Sequence, residues 1–140
     1  MAAENAEYAL AIGRAIKAVD RDLIYVALSG SEMEKAAQKL DMRLAREGFC
    51  DRQYEEDGNL TSRKIAGSVI KDPAVATAQV VNMVVEGEII TRTGKRIKRR
   101  VDSLCVHGDE PTALALSAAV RAGLEAGGVK VVPLTEMKLD

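Results

Sequence analysis

The chain has 140 residues, 47% of them hydrophobic and 29% charged, and a net charge of −1 at pH 7. This is enough sequence for one globular domain with a real core, and the charge balance gives no global pull toward nucleic acid or an anionic membrane. No apolar stretch nears the roughly 20 residues that span a bilayer, and the amino terminus lacks the basic and apolar regions of a secretory leader.

In chain order, Ala2 to Ala18 places Ala9, Ile12, Ile16 and Val19 three or four residues apart, which predicts an amphipathic helix with no strand before it. Leu23 to Leu28 is a continuous apolar run that suits a parallel strand buried on both faces. Ser29-Gly30-Ser31 turns the chain, and Ser31 with Glu34 forms a capping box for a helix reaching about Leu40. Met42 to Phe49 reads as the next strand, made polar by Arg43, Arg46 and Glu47. Cys50 through Lys64 reads as a long polar loop, with Asp57-Gly58 closing a small hairpin.

Asp72-Pro73 is a strong helix start, and the helix it opens sets Ala74, Ala78, Val81 and Val85 on one face before Gly87. Glu88 to Arg100 predicts two short strands around Thr93-Gly94, carrying Arg92, Lys95, Arg96, Lys98, Arg99 and Arg100. Such a hairpin suits an RNA or phosphate contact, but charges on an edge hairpin also guard against sheet-to-sheet pairing. Aromatic residues make up 3% of the chain, too few for base-stacking platforms. Ser103 to Val106 predicts the central strand, and Pro111 to Ala126 a helix burying Ala113, Leu116, Val120 and Leu124. Gly127-Gly128 ends that helix, and Val129 to Val132 predicts a last strand cut by Pro133. The alternation of helices and strands predicts a parallel sheet with right-handed crossovers.

Parallel strands send their carboxyl ends to one rim, so Ser29-Gly30-Ser31, Cys50-Asp51-Arg52 and His107-Gly108-Asp109 are expected to converge there. Two carboxylates, a guanidinium, the chain's one imidazole and a helix start suit an anionic substrate and a proton transfer. His107 titrates near neutrality when unperturbed, and Arg52 offers a bidentate clamp for a carboxylate or phosphate. The same residues also suit plainer roles: a capping histidine, an ordinary Gly-Asp turn, and an Asp51-Arg52 ion pair pinning the long loop. Cys50 and Cys105 have no neighbour that lowers a thiol pKa and read as packing residues. Their wide spacing fits a reducing cytoplasm, and with one histidine they make no structural zinc site.

Phe49-Cys50-Asp51-Arg52-Gln53-Tyr54, with Asp57-Gly58-Asn59-Leu60, Arg63 and Gly67-Ser68-Val69-Ile70 after it, resembles the Phe-Ala-Asp-Arg-x-Tyr segment of the LamB/YcsF family. Cys105-Val106-His107-Gly108-Asp109 is similar to that family's Cys-Val-His-Gly-Asp segment, and Ala27-Leu28-Ser29-Gly30-Ser31-Glu32 to its Gly-Leu-Ala-Gly-Ser-Glu turn. Cys50 stands where alanine is usual and Gly48 where valine is usual. The resemblance implies an α/β fold of the seven-stranded glycoside hydrolase/deacetylase barrel type. It implies hydrolytic opening of 5-oxoproline to L-glutamate coupled to ATP hydrolysis, together with 5-oxoprolinase subunits B and C. It places Asp51, His107 and Asp109 as catalytic groups and Arg52, Ser31, Tyr54 and Arg63 at the substrate, with Glu47 a further pocket candidate and no metal ligand assigned.

A whole barrel of this type needs on the order of 250 residues. The family's amino-terminal motifs, of the form Asp-Leu-Asn-x-Asp-Leu-Gly-Glu and Lys-Pro-His-Gly-Ala-Leu-Tyr, do not occur here. Residues 1–140 are therefore expected to be one domain-sized carboxyl-terminal portion of the barrel, inactive alone and exposing strand edges that another chain or another copy covers. The alternative expectation is a small non-enzymatic α/β module that binds an anionic metabolite.

Overall fold

In the computed structural model, which describes residues 1–139, four helices and five strands form an open α/β layer with a separate hairpin. Helix α1 (Ala6–Val19) starts on Asn5, whose Oδ1 accepts from the Tyr8 N–H at 3.0 Å. Its buried stripe is Ala9, Gly13 and half-buried Ile16, while Ile12 and Val19 of the predicted face are exposed. The reason is close approach: a Cβ on Gly13 would stand 2.7 Å from Leu40 Cδ1, so the helix packs through its small residues.

Strand β1 (Tyr25–Leu28) leads through the Ser31 cap into α2 (Glu32–Lys39), and β2 (Leu44–Phe49) follows. Helix α3 (Pro73–Val81) is capped by Asp72, whose Oδ1 accepts from the Ala74 N–H at 2.7 Å, and continues into a π-helical turn, Asn82–Glu86. Its buried residues are Ala76, Val80 and Met83, whereas Ala74, Ala78 and Val85 of the predicted face are exposed. The buried face is the one that α3 packs against α4 (Ala113–Ala126). A Cβ on Gly123 of α4 would overlap Thr77 Cγ2, so only glycine fits that contact. Helix α4 begins two residues after Pro111 and buries Leu116, Val120 and Leu124 as expected.

The predicted hairpin forms from β3 (Glu88–Ile90) and β4 (Arg96–Lys98), antiparallel with Ile89 opposite Ile97. Its basic side chains hold carboxylates: Arg92 with Glu55, Arg96 and Lys98 with Glu88, and Arg100 with Asp102, each at 2.8 Å. The main sheet is parallel and ordered β1-β2-β5, where β5 is Ser103–Cys105. The central strand is thus β2, and β5, predicted to be central, pairs on one side only.

Val129 to Val132 makes no ladder with β5, so the sheet has three parallel strands rather than the predicted four. A groove of about 370 Å³ lies beside β5, lined by Leu104, Val106, Leu124, Val129 and Val132 among others. A run of four residues stopped by Pro133 has few ladder bonds to gain, and no further strand holds its far side among the described residues. The described residues form an open sheet and not a closed barrel.

Alternation along the strands gives the sheet two unlike faces. Tyr25, Ala27 and Leu44 pack with Ala37, Met42 and Leu40 beneath α1 and α2. Leu104 and Val106 pack against a cluster of Cys50, Ile70, Ala76, Val80 and the buried residues of α4. Arg46, on the helix side, is 6% exposed and bonds Glu34 at 2.7 Å and Asp102 at 3.3 Å, which is why a strand with so polar a sequence is buried. On the other face Val26, Leu28, Glu47, Phe49, Ser103 and Cys105 are only half-buried or exposed.

Candidate functional site

The site begins with register. Phe49 and Cys105 are partners across β2 and β5, so the residues two steps beyond them, Asp51 and His107, leave the sheet side by side. The Cys50 N–H and thiol both donate to the Cys105 carbonyl, at 3.2 and 2.8 Å, which carries the pairing one residue past the strand ends. Asp51, 3% exposed, accepts from the His107 backbone N–H at 2.9 Å. Its carboxylate oxygens also lie 2.8 and 2.9 Å from His107 Nδ1. The imidazole stacks on Phe49 with ring centroids 5.6 Å apart. An ionised carboxylate only accepts, so Nδ1 is the donor, and in the neutral ring Nε2 is the nitrogen that carries the lone pair. Among the described residues, Nε2 has no protein partner.

The loop holding Asp51 is ordered throughout. Ile70 N–H donates to the Asp51 carbonyl at 2.8 Å, Gln53 N–H to Ser68 at 2.9 Å, and Thr61 N–H to Gln53 at 2.9 Å. Cys50, Asp51, Arg52, Tyr54 and Thr61 of the predicted polar loop are buried, as are Ser68 and Ile70 after it, while Glu56, Asp57 and residues 62–64 are exposed. Gln79 of α3 supports it from below: its Nε2 lies 3.0, 3.3 and 3.0 Å from the carbonyls of Phe49, Cys50 and Arg52. Sequence reasoning missed Gln79, because a glutamine inside a helix reads as a solvent-facing residue and carries no other signal.

The remaining predicted residues take distinct places. Tyr54 is fully buried, and its hydroxyl accepts from the Phe49 N–H at 2.7 Å; burial pushes the phenol well above its usual range. Arg52 turns inward, Nη2 donating to the Thr61 carbonyl at 2.5 Å; burial, and then the Arg63 charge, lower its pKa. It braces the loop from beneath, leaving Arg63 the exposed guanidinium of the rim. Arg63 and Asp109, the latter two residues beyond His107, face each other there at 3.5 Å, both well exposed.

Ser31 stands apart. It is on the β1 side of β2 while His107 is on the β5 side, and its hydroxyl caps Glu34 N–H at 3.4 Å. Glu34 in turn accepts from the Gly30 N–H at 2.5 Å, filling the helix start from within. Burial pushes the Cys50 thiol up to about 12 and raises that of Cys105 as well, so both are packing thiols. Among the described residues there is no group of three His, Cys, Asp or Glu placed to hold a metal ion, and no helix long and apolar enough to cross a membrane.

The LamB/YcsF family matches this chain over residues 1–139. The chain belongs to the LamB/YcsF family. The A subunit of 5-oxoprolinase from Rhodopseudomonas palustris BisB18 is 47% identical over 133 residues, which are 95% of this chain and 52% of that protein. Its namesake from Coprothermobacter proteolyticus is 46% identical over 135 residues, again 52% of its length. In three dimensions the chain superimposes on the crystal structure of the lactam utilization protein from Thermus thermophilus with a TM-score of 0.82 and 38% identity. That match covers 93% of this chain and 51% of the other. The LamB/YcsF chain thus spans about half the length of the relatives it matches.

Proposed function

We propose that this chain carries the His–Asp part of a 5-oxoprolinase site, acting in hydrolytic opening of the 5-oxoproline ring to L-glutamate. The turnover is coupled to ATP hydrolysis and requires subunits B and C. It also requires the rest of a seven-stranded barrel, of which residues 1–140 are the carboxyl-terminal portion, working in the cytoplasm. The observation that carries this reading is the contact between Asp51 and His107 at the carboxyl end of the parallel sheet. Asp51 fixes the tautomer and the ring plane, and Nε2 takes a proton from the attacking water. Arg63, exposed beside Asp109, is the cation available to the carboxylate of 5-oxoproline, and Arg52 beneath it adds to the positive field. The helix start at Ser31 is filled by Glu34, so ATP phosphates are assigned to other parts of the assembly.

The test is ATP-dependent release of glutamate from 5-oxoproline with the partner subunits and the missing half supplied. His107→Ala and Asp51→Ala are expected to lower turnover by at least about 100-fold, and the chain alone to show none. Unchanged turnover in both variants would refute the site. Binding of 5-oxoproline by calorimetry with no turnover in the completed assembly would favour the anion-binding module instead.

A further inference from the structure

Strand β2 carries two ionisable side chains, and only Arg46 is used by the helix layer, through Glu34 and Asp102. Glu47 is on the opposite face with Phe49, and the register sets Ser103 beside Glu47 and Cys105 beside Phe49. His107 is stacked on Phe49, so Glu47 and the imidazole flank the Phe49–Cys105 layer from its two sides. Four residues of strand span at most about 13 Å, a distance that two long side chains and one small heterocycle fill. Glu47 is half-buried, yet among the described residues no cation pairs with it and nothing hydrogen-bonds its carboxyl. A packing role does not explain such a group, because a carboxylate is destabilised by partial burial without a partner.

We propose that Glu47 is the second proton-transfer group of this site, working opposite His107 on a substrate seated over the Phe49–Cys105 layer. The substrate in this statement rests on the ring-opening reading above; the pairing of the two groups rests on the sheet. The titratable groups facing Glu47 are the imidazole of His107 and thiol of Cys105 from β5 and its extension, and the phenol of Tyr54. Burial raises the Glu47 carboxyl above its ordinary value, and His107, when its ring is protonated, lowers it in part.

Glu47 stands across the Phe49–Cys105 layer from His107 with no cation paired to it among the described residues, and is therefore assigned as the proton donor of the pair. Water adds to the lactam carbonyl carbon and its proton passes to His107 Nε2. As the C–N bond breaks, the nitrogen takes the proton of Glu47 and leaves as the free amine. The proton on His107 then returns to Glu47, so one water is consumed and both groups are restored.

The experiment is a pH titration of the 140-residue chain followed by NMR of the His107 ring signals, which come from the chain's sole imidazole. Beside the titration of the ring itself, the wild-type curve is expected to show an inflection from Glu47 above the ordinary carboxylate range. Glu47→Gln abolishes it, and Glu47→Asp displaces it without removing it. An inflection that survives in Glu47→Gln, or its absence from the folded wild type, would overturn the proposal. Repeating the titration with 5-oxoproline separates the two claims. Loss of the inflection in Glu47→Gln with no response of the ring to 5-oxoproline keeps the pair and refutes the substrate.

Discussion

Asp51→Ala removes one carboxylate that serves two donors of a single residue. The His107 N–H at 2.9 Å and Nδ1 at 2.8 Å both lose their acceptor. Hydrogen bonds to charged groups are each worth about 1.5–3 kcal/mol, and an orphaned buried donor costs about 1–3 kcal/mol. The His107 side chain is 23% exposed, so water reaches the ring and recovers part of its loss. The low end of each range applies, giving a destabilisation of about 3 kcal/mol. This is a large share of the roughly 5–15 kcal/mol that holds a domain together.

His107→Ala keeps its backbone N–H bonded to Asp51 and loses only the ring contact, about 1–2 kcal/mol. The double variant closes a cycle whose coupling energy is expected at about 1.5 kcal/mol. Urea unfolding followed by circular dichroism, with an unchanged m-value, measures all four corners. A coupling energy below about 0.5 kcal/mol would show that the two residues do not act as a unit.

Tyr54→Phe leaves the Phe49 N–H without its 2.7 Å acceptor and is expected to lower stability by about 1–2 kcal/mol. With the Tyr54 phenol pKa raised in the fold, its contribution is whole below the unfolded value near 10 and is lost as pH rises through the folded one. Alkaline unfolding, watched by tyrosinate absorbance, should therefore move to higher pH in the phenylalanine variant. Arg46→Ala removes the cation shared by Glu34 and Asp102, which keep the Gly30 N–H and Arg100 respectively, and is expected to destabilise by about 3 kcal/mol, the low end for a broken buried pair, read as a fall in the urea midpoint. Cys50 and Cys105 should resist iodoacetamide in the folded chain and both react in urea, as counted by mass; rapid native labelling of Cys50 would contradict its burial.

Local rules made much of this legible. The Asp72 and Ser31 caps, the Thr93-Gly94 hairpin and the strand before Ser29 follow from residue chemistry that acts over a few positions. The pairing of Asp51 with His107 was also foreseeable, since both follow parallel strands directly. Strand order was not in the sequence. Because β2 lies between β1 and β5, the Ser31 loop neighbours the loop after β2, beside Asp57–Asn59, and is separated by β2 from His107. The faces of α1 and α3 were misjudged for a related reason. Apolar spacing ranks residues by hydropathy, whereas Gly13 and Gly123 set those helices by how closely backbones approach. The loop after β2 looked solvated because its residues are polar, and only the folded chain shows Arg52, Thr61 and Gln79 meeting carbonyls or one another's backbone there.

The central claim, that Asp51 holds His107 with Nε2 free for chemistry, is tested most directly by nitrogen-15 NMR of the chain's sole imidazole at a pH where the ring is neutral. The expected spectrum shows a protonated Nδ1 and an unprotonated Nε2 in the wild type, with the preference lost in Asp51→Ala. A wild-type ring protonated on Nε2, with Nδ1 bare, would contradict it.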